Sequence, residues 1–255
     1  NALHNTLEVL PFQEFGEKYQ DVDAALNAPE LCSIVEEMFK AESLPIEKNR
    51  DAWMKITMQY LWNTLNAKLP TIAGVKDDKA VVEKGEFKLV NLPLNAHKPE
   101  VRFDLDADKK DEASADMEKN IRRFCKGFID LMFVRGEGNN KRYCILDWKS
   151  DRLEDDIYSP AALKKKVDEE YSVQRVLYSY CLIQWLKQFC NESESDIFKN
   201  HFGGIYYAFL RGTEGGTGKG IYAQTWKDYA TLEAAYKNVK KLMSKSKKTQ
   251  NGEEK

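Results

Sequence analysis

The stretch Tyr143-Cys-Ile-Leu-Asp-Trp-Lys149, read together with Gly127-Phe-Ile-Asp130-Leu-Met-Phe-Val134 upstream of it, decides the fold. Both are short apolar runs of strand length, and each carries an aspartate among side chains that prefer burial. Between them lies Gly136-Glu-Gly-Asn-Asn140. That is turn material, because Gly and Asn tolerate positive φ. A turn centred on Gly138-Asn139 pairs positions whose numbers sum to 277 and sets Asp130 directly across from Asp147. Facing residues in an antiparallel pair have Cβ atoms about 4.5–5.5 Å apart. Lys149, two residues on, shares a face with Asp147 at about 6.5 Å along the strand.

Two carboxylates at that spacing repel, and one must gain a proton unless a cation neutralises both. Hard oxygen ligands with open positions suit Mg²⁺ or Mn²⁺ rather than zinc. The residues alone leave a second reading open, in which Asp147 and Lys149 are an edge-strand ion pair and Asp130 is solvated. The apolar neighbours Phe128, Met132, Tyr143 and Ile145 favour the metal, since charges in such company are seldom left unpaired.

Outward from this hairpin, residues 1–69 read as largely helical: Ala2 through Leu10, Val22–Leu26, Glu30–Phe39 and the periodic Ala52–Leu69. Segments Leu89–Leu94 and Glu100–Leu105 read as strands, and 106–119 as a densely charged surface loop or frayed helix. An irregular connection over 153–165 precedes the strongest helical pattern, Glu169–Phe189. Phe202–Leu210 is a near-continuous apolar strand, which implies cover on both faces. A glycine-rich loop follows over 212–220, then a helix over 231–243. The order predicts one mixed α/β domain over 1–243, a helical N-terminal region (1–95) ahead of a core (96–243), and a basic flexible tail over 244–255.

A formal net charge of −2 over 255 residues excludes a global field that draws in polyanions, so any nucleic-acid contact is local. Cys32, Cys125, Cys144, Cys181 and Cys190 are odd in number and lack C-x-x-C spacing, which argues against a disulfide framework and for a reducing, cytoplasmic setting. The sequence holds no apolar run of membrane-spanning length. It begins at Asn1 without methionine, which suggests a piece of something longer.

His97 and His201 read as solvated or structural. His4, in Leu3-His4-Asn-Thr-Leu7-Glu8, lies beside the apolar positions of a first helix and reads as packing, capping or a ligand. Gln174 and Tyr178 are four apart on the strongest helix and share a face, with Tyr171 about a turn earlier. Lys164-Lys165-Lys166, Arg122-Arg123, Arg211 and Lys219 are candidate phosphate contacts or solvated charge. Gly215-Gly-Thr-Gly-Lys219 fails as a phosphate-binding loop, because its spacing is wrong and Gly220 stands where Ser or Thr is needed.

Taken in chain order, these segments resemble the RecB-type nuclease domain, a branch of the PD-(D/E)xK nucleases found in helicase-nuclease enzymes of the exodeoxyribonuclease V type. Leu3-His4 through Phe12 is similar to the family's histidine motif and Pro99-Glu100-Val-Arg-Phe103 to its first core strand. The strands bearing Asp130 and Asp147-Trp148-Lys149 look like its metal-site strands, Gln174 to Tyr178 like its Q-x-x-x-Y helix, and Phe202 to Gly212 like its closing strand. The resemblance implies a restriction-endonuclease-like central mixed sheet flanked by helices. It implies Mg²⁺ (with Mn²⁺ or Ca²⁺ able to substitute) held by His4, Asp130, Asp147 and the backbone carbonyl of Trp148. It also implies Lys149 acting on the water and phosphate, Gln174 and Tyr178 orienting the site, and Glu100 in support. The implied partners are DNA, in single-stranded ends fed by a helicase domain of the same polypeptide, and RecC-like and RecD-like subunits, with no membrane.

Overall fold

The computed structural model describes residues 2–45, 47–76, 79–106 and 124–250. The charged segment 107–119, together with Arg122 and Arg123, lies outside the described residues. Five helices open the chain: α1 (Ala2–Val9), α2 (Phe12–Lys18), α3 (Val22–Leu26), α4 (Pro29–Ala41) and α5 (Arg50–Asn66). Their inward faces carry Leu7, Phe12, Phe15, Leu31, Met54, Met58, Leu61 and Leu65, all essentially without solvent exposure. A hairpin follows, β1 (Leu69–Lys76) with β2 (Lys79–Phe87), where the sequence reading had no strand. The apolar run after it, expected to be a strand from Leu89, is a 3-10 turn over Leu89–Asn91.

The central sheet has five strands in sequential order: β3 (His97–Asp106), β4 (Phe124–Arg135), β5 (Arg142–Lys149), β6 (Phe202–Phe209) and β7 (Ile221–Gln224). All pairs are antiparallel except β5 with β6. The parallel pair needs a crossover. It is supplied by α6 (Pro160–Glu170), α7 (Ser172–Lys187) and α8 (Glu194–His201), and α9 (Tyr229–Gln250) closes the chain. Ser159 caps α6 by accepting from the Ala162 N–H, with Pro160 in the first turn, so a segment read as irregular is a regular helix. Helix α9 runs past Met243 as far as Gln250; residues 251–255 lie outside the described residues.

The sheet is thus covered on both faces, giving a mixed α/β fold of nuclease-like layout with a helical N-terminal region. One face, with Leu131, Phe133, Cys144, Leu146, Trp148, Tyr206 and Ala208, packs on α1–α5 and the hairpin. The other, with Met132, Ile145, Ile205, Tyr207 and Phe209, packs on α6–α9. Strand β6 lies between the two layers, and every one of its residues is buried. The β4–β5 register sums to 277 from Arg135↔Arg142 to Leu131↔Leu146, as the turn chemistry predicts. The ladder ends there, one residue short of the two aspartates. Ile129 and Leu131, which a regular pleat puts on one face, belong to opposite layers, so β4 changes course at Asp130.

Strand β6 slips its register against β5 between Tyr143 and Ile145. Gly204 sits in the slip with φ +99°, and a Cβ there would stand 2.5 Å from Ile72 Cδ1 of the hairpin. Gly216, in the loop before β7, also has positive φ (+78°) but open space around it. Gly204→Ala therefore combines backbone strain with a clash and costs more than ~2 kcal/mol, whereas Gly216→Ala carries the strain alone, about 1 kcal/mol. Urea unfolding of the two variants measures this. Equal losses would refute the close approach of β6 to the hairpin.

Candidate active site

Strand β5 delivers Asp147 and Lys149 to its C-terminal end on the face covered by α7. Asp147 is 2% exposed and Lys149 9%. Gln174 on α7 spans the pair: its Nε2 donates to Asp147 Oδ1 (2.8 Å), and its Oε1 accepts from Lys149 Nζ (3.1 Å). The Lys149 ammonium also ion-pairs with Asp147 Oδ2. It lies 3.8 Å from the centre of the Tyr171 ring and 5.7 Å from that of Tyr207, a cation–π seat that holds the charge out of water. Tyr171 in turn donates its hydroxyl to Asp151 Oδ2 (2.7 Å), and Lys166 pairs with the same carboxylate. Tyr178, one turn along α7, lies within hydrogen-bond distance of Gln174 Nε2 (3.0 Å) and donates to the Phe128 carbonyl, tying the helix to β4.

Asp130 enters from β4. Its Oδ2 accepts the Trp148 backbone N–H at 2.8 Å, where a regular ladder would have placed a β4 carbonyl. The N–H and C=O of one strand residue point to the same neighbouring strand. The Trp148 carbonyl is therefore turned to the Asp130 side as well, while its indole is buried in the opposite layer. Helix α1 brings His4, whose Nδ1 is 3.9 Å from Asp130 Oδ2. One turn later on the same face is Glu8, which sequence reasoning quoted in the motif but did not assign. Its carboxyl feels the charges of Glu100 on β3 and of Asp130. Glu100 continues the β3–β4 register opposite Asp130 and holds φ at +47°, a left-handed conformation strained for this residue. The signal for Glu8 was its i, i+4 spacing from His4.

The structure thus brings His4, Asp130, Asp147, Trp148, Lys149, Gln174 and Tyr178 to one place, with Glu100 beside them. Of the candidate phosphate contacts, Lys164 pairs with Asp168, Lys219 with Glu214, and Arg211 donates to the Ser150 carbonyl. His97 stacks on Phe12 at 4.6 Å, a packing role. Among the described residues, Cys32, Cys144 and Cys190 are free thiols. Among the described residues no helix is long and apolar enough to cross a membrane.

Burial raises Asp147, and the Asp130 charge adds to it; Lys149 opposes both, and the carboxyl stands pushed up to about 6. Asp130 is also raised by burial, against the pull of the Trp148 N–H and Lys149. Glu8 is pushed up to about 7 by burial and by Glu100, and burial lowers His4. The carboxyl cluster is therefore short of positive charge, even with Lys149 present. Asp147 Oδ2 is shielded from solvent and meets the Lys149 ammonium. In kind, two carboxylates, an imidazole and a backbone carbonyl are donors that suit a hard divalent cation, while the His4, Asp130 and Asp147 donor atoms do not all lie within 4.8 Å of one another.

Because folding raises Asp147, the stability contributed by its neutral form is fully present below the unperturbed aspartate pKa of about 3.9 and is lost as pH rises through about 6. Asp147→Asn removes that loss. Without divalent ions it raises the melting temperature at pH 7 and leaves it nearly unchanged at pH 4. A lower melting temperature for this variant at pH 7 would show that the Lys149 ion pair outweighs the burial and repulsion.

No protein-family model matches the chain. Part of it is similar to RecBCD enzyme subunit RecB of several bacteria. Identity is 42% over 90 residues with that of Buchnera aphidicola subsp. Schizaphis graminum, covering 34% of this chain and 7% of the relative. It is 37% over 97 residues with that of Escherichia coli K12, and 30% over 107 residues with that of Haemophilus influenzae, each match covering 8% of the relative. The chain thus contains a RecB-related region, and the matched stretch spans less than a tenth of the length of these curated relatives.

Proposed function

We propose that this chain is a Mg²⁺-dependent DNA nuclease domain of the PD-(D/E)xK type, the nuclease module of a DNA repair and recombination helicase-nuclease. One observation carries the reading: a buried Asp147–Lys149–Gln174 network stands beside the Asp130 carboxylate, which accepts the Trp148 N–H and has His4 Nδ1 3.9 Å away. The similarity to RecB subunits supplies the context. It favours DNA fed from a helicase domain of the same polypeptide, with RecC-like and RecD-like subunits as further partners in the cytoplasm.

His4, Asp130, Asp147 and the Trp148 carbonyl would hold the ion, with Mn²⁺ or Ca²⁺ able to take its place in binding. When bound, it lowers the pKa of a coordinated water and offsets charge on the phosphate. Lys149, seated between Asp147 and the Tyr171 ring, would position or deprotonate the attacking water and stabilise charge on the phosphate. Gln174 holds the Asp147 and Lys149 heads in one fixed geometry, and Tyr178 fixes Gln174 against β4. The water oxygen bonds to phosphorus and gives up its proton to solvent, while the bond to the leaving sugar oxygen breaks and that oxygen takes a proton from solvent. Glu8 is held toward its neutral form at the rim of the cluster, and Glu100 takes a supporting place beside Asp130 on β3.

The protein should degrade end-labelled single-stranded DNA with Mg²⁺ and not with EDTA. Asp147→Ala should abolish cleavage, and Lys149→Ala should lower the rate ~10²–10³-fold. Gln174→Ala, which acts through the other two, should cost ~10–100-fold. Cleavage that survives Asp147→Ala would overturn the site. DNA binding without cleavage under any divalent ion would favour a non-catalytic DNA-binding or subunit-contact module instead.

A further inference from the structure

A second constellation lies at the other end of the sheet. Helix α7 ends at Lys187, and a short turn leads to α8, which Ser193 caps by accepting the Asp196 N–H (3.2 Å). Because α8 doubles back, its last residue, His201, returns to the turn that carries Cys190 and Glu192. One ligand atom from each of the three lies within 4.8 Å of the other two. Among the described residues, no other group of three or more Cys, His, Asp or Glu side chains is drawn together so closely. The site starts β6, at the pair Tyr143↔Phe202, whereas Asp147 pairs Tyr207 five residues further along β6, or ~16 Å away at strand spacing.

The neighbouring groups orient these side chains. Asn200 Nδ2 donates to Glu192 Oε2 (2.9 Å), which leaves Oε1 to face His201 Nε2 at 3.0 Å. Lys187 Nζ donates to the Glu192 backbone carbonyl, and the Cys190 N–H to the Leu186 carbonyl (3.1 Å), so the turn itself is anchored. His201 Nδ1 faces the Lys141 carbonyl at 3.4 Å. Both ring nitrogens therefore face acceptors, yet a neutral imidazole carries one N–H. With that proton directed to the Lys141 carbonyl, Nε2 presents its lone pair toward the carboxylate and the thiol. A histidine whose far nitrogen donates to a backbone carbonyl is the usual arrangement of a metal ligand.

We propose that Cys190 Sγ, Glu192 Oε1 and His201 Nε2 bind a zinc-class divalent ion, with water completing a tetrahedron. A thiolate, an imidazole and a carboxylate together suit a borderline-soft ion such as Zn²⁺ and disfavour Mg²⁺, so the two ends of the sheet select different metals. The ion clips the α7–α8 turn to the start of β6, the strand buried between both layers. Its role is to stabilise the fold. Binding releases the Cys190 thiol proton to solvent, and no bond is oxidised or reduced.

Cobalt(II) titration of the metal-stripped, reduced protein tests this, because a thiolate ligand gives a near-ultraviolet charge-transfer band that an oxygen and nitrogen site does not. One equivalent should develop the band in the parent protein and in Asp147→Asn, and the band should be lost in Cys190→Ser. Glu192→Gln, which keeps the shape of the turn, should weaken it. Zn²⁺ should raise the melting temperature of the parent protein and not that of Cys190→Ser. Absence of the band, or a band that persists in Cys190→Ser, would overturn the proposal and leave a histidine–glutamate ion pair only. Far-ultraviolet circular dichroism of each variant confirms that a lost band reflects a lost ligand.

Discussion

The repulsion between two carboxylates drawn together at the edge of the core organises this end of the molecule. Asp147 is buried by the layers on both sides of the sheet, and its charge is opposed first by that burial and then by Asp130. The surroundings answer with opposite charge and with fixed dipoles. Lys149 lies against one carboxylate oxygen, Gln174 donates to the other, and the Trp148 N–H serves Asp130. None of these partners could hold its position in isolation. Lys149 rests on Tyr171, Tyr171 on Asp151, and Gln174 on Tyr178, so the network reaches two turns of helix and two strands before it ends on the Phe128 carbonyl.

That network explains why the sheet loses its regularity here. The β4–β5 ladder is in register up to Leu131↔Leu146 and then gives way to a side-chain acceptor, which opens space between two strands that would otherwise close on each other. Strain gathers at the same place. Glu100 adopts a left-handed backbone where β3 passes Asp130, and its carboxyl is met by Glu8 from α1. A sheet covered on both faces can bear such local costs because its core is continuous elsewhere, with β6 fully buried and aromatic rings of Phe87, Phe133 and Tyr206 packed together beneath the hairpin. The opposite end of the same sheet is free of that conflict. There a thiol, an imidazole and a single carboxylate meet, held by a short helix that folds back on its own turn.

Much of this was readable from local pattern. Turn residues at 136–140 define the β4–β5 register through the arithmetic of a two-residue strand period, and the continuous apolar run over 202–210 announces a strand covered on both faces. The i, i+4 spacing of Gln174 and Tyr178 puts them on one face of α7. Other elements were hidden for physical reasons. Helix α6 begins with Pro160 and has few apolar residues, so its pattern is faint until the Ser159 cap is recognised. The strand β7 is four residues long and follows glycine-rich loop, and the β1–β2 hairpin was passed over in a region read as helical. The run after Leu89 has a strand-like apolar content and yet turns, because its side chains plug the groove beside α2 and α5 instead of pairing.

Local pattern settles the neighbours: which residues share a strand face, which share a helix face, and hence that Asp147 and Lys149 lie beside an aspartate from the adjoining strand. Only the tertiary structure decided that His4, 126 positions before Asp130, reaches that aspartate, that Glu8 meets Glu100, and that Tyr171 carries the lysine. The same holds for Cys190, Glu192 and His201, whose spacing matches no local metal motif until α8 folds back. Periodicity reports geometry within one element. The approach of two elements is set by how their apolar faces bury each other, and no local spacing encodes that.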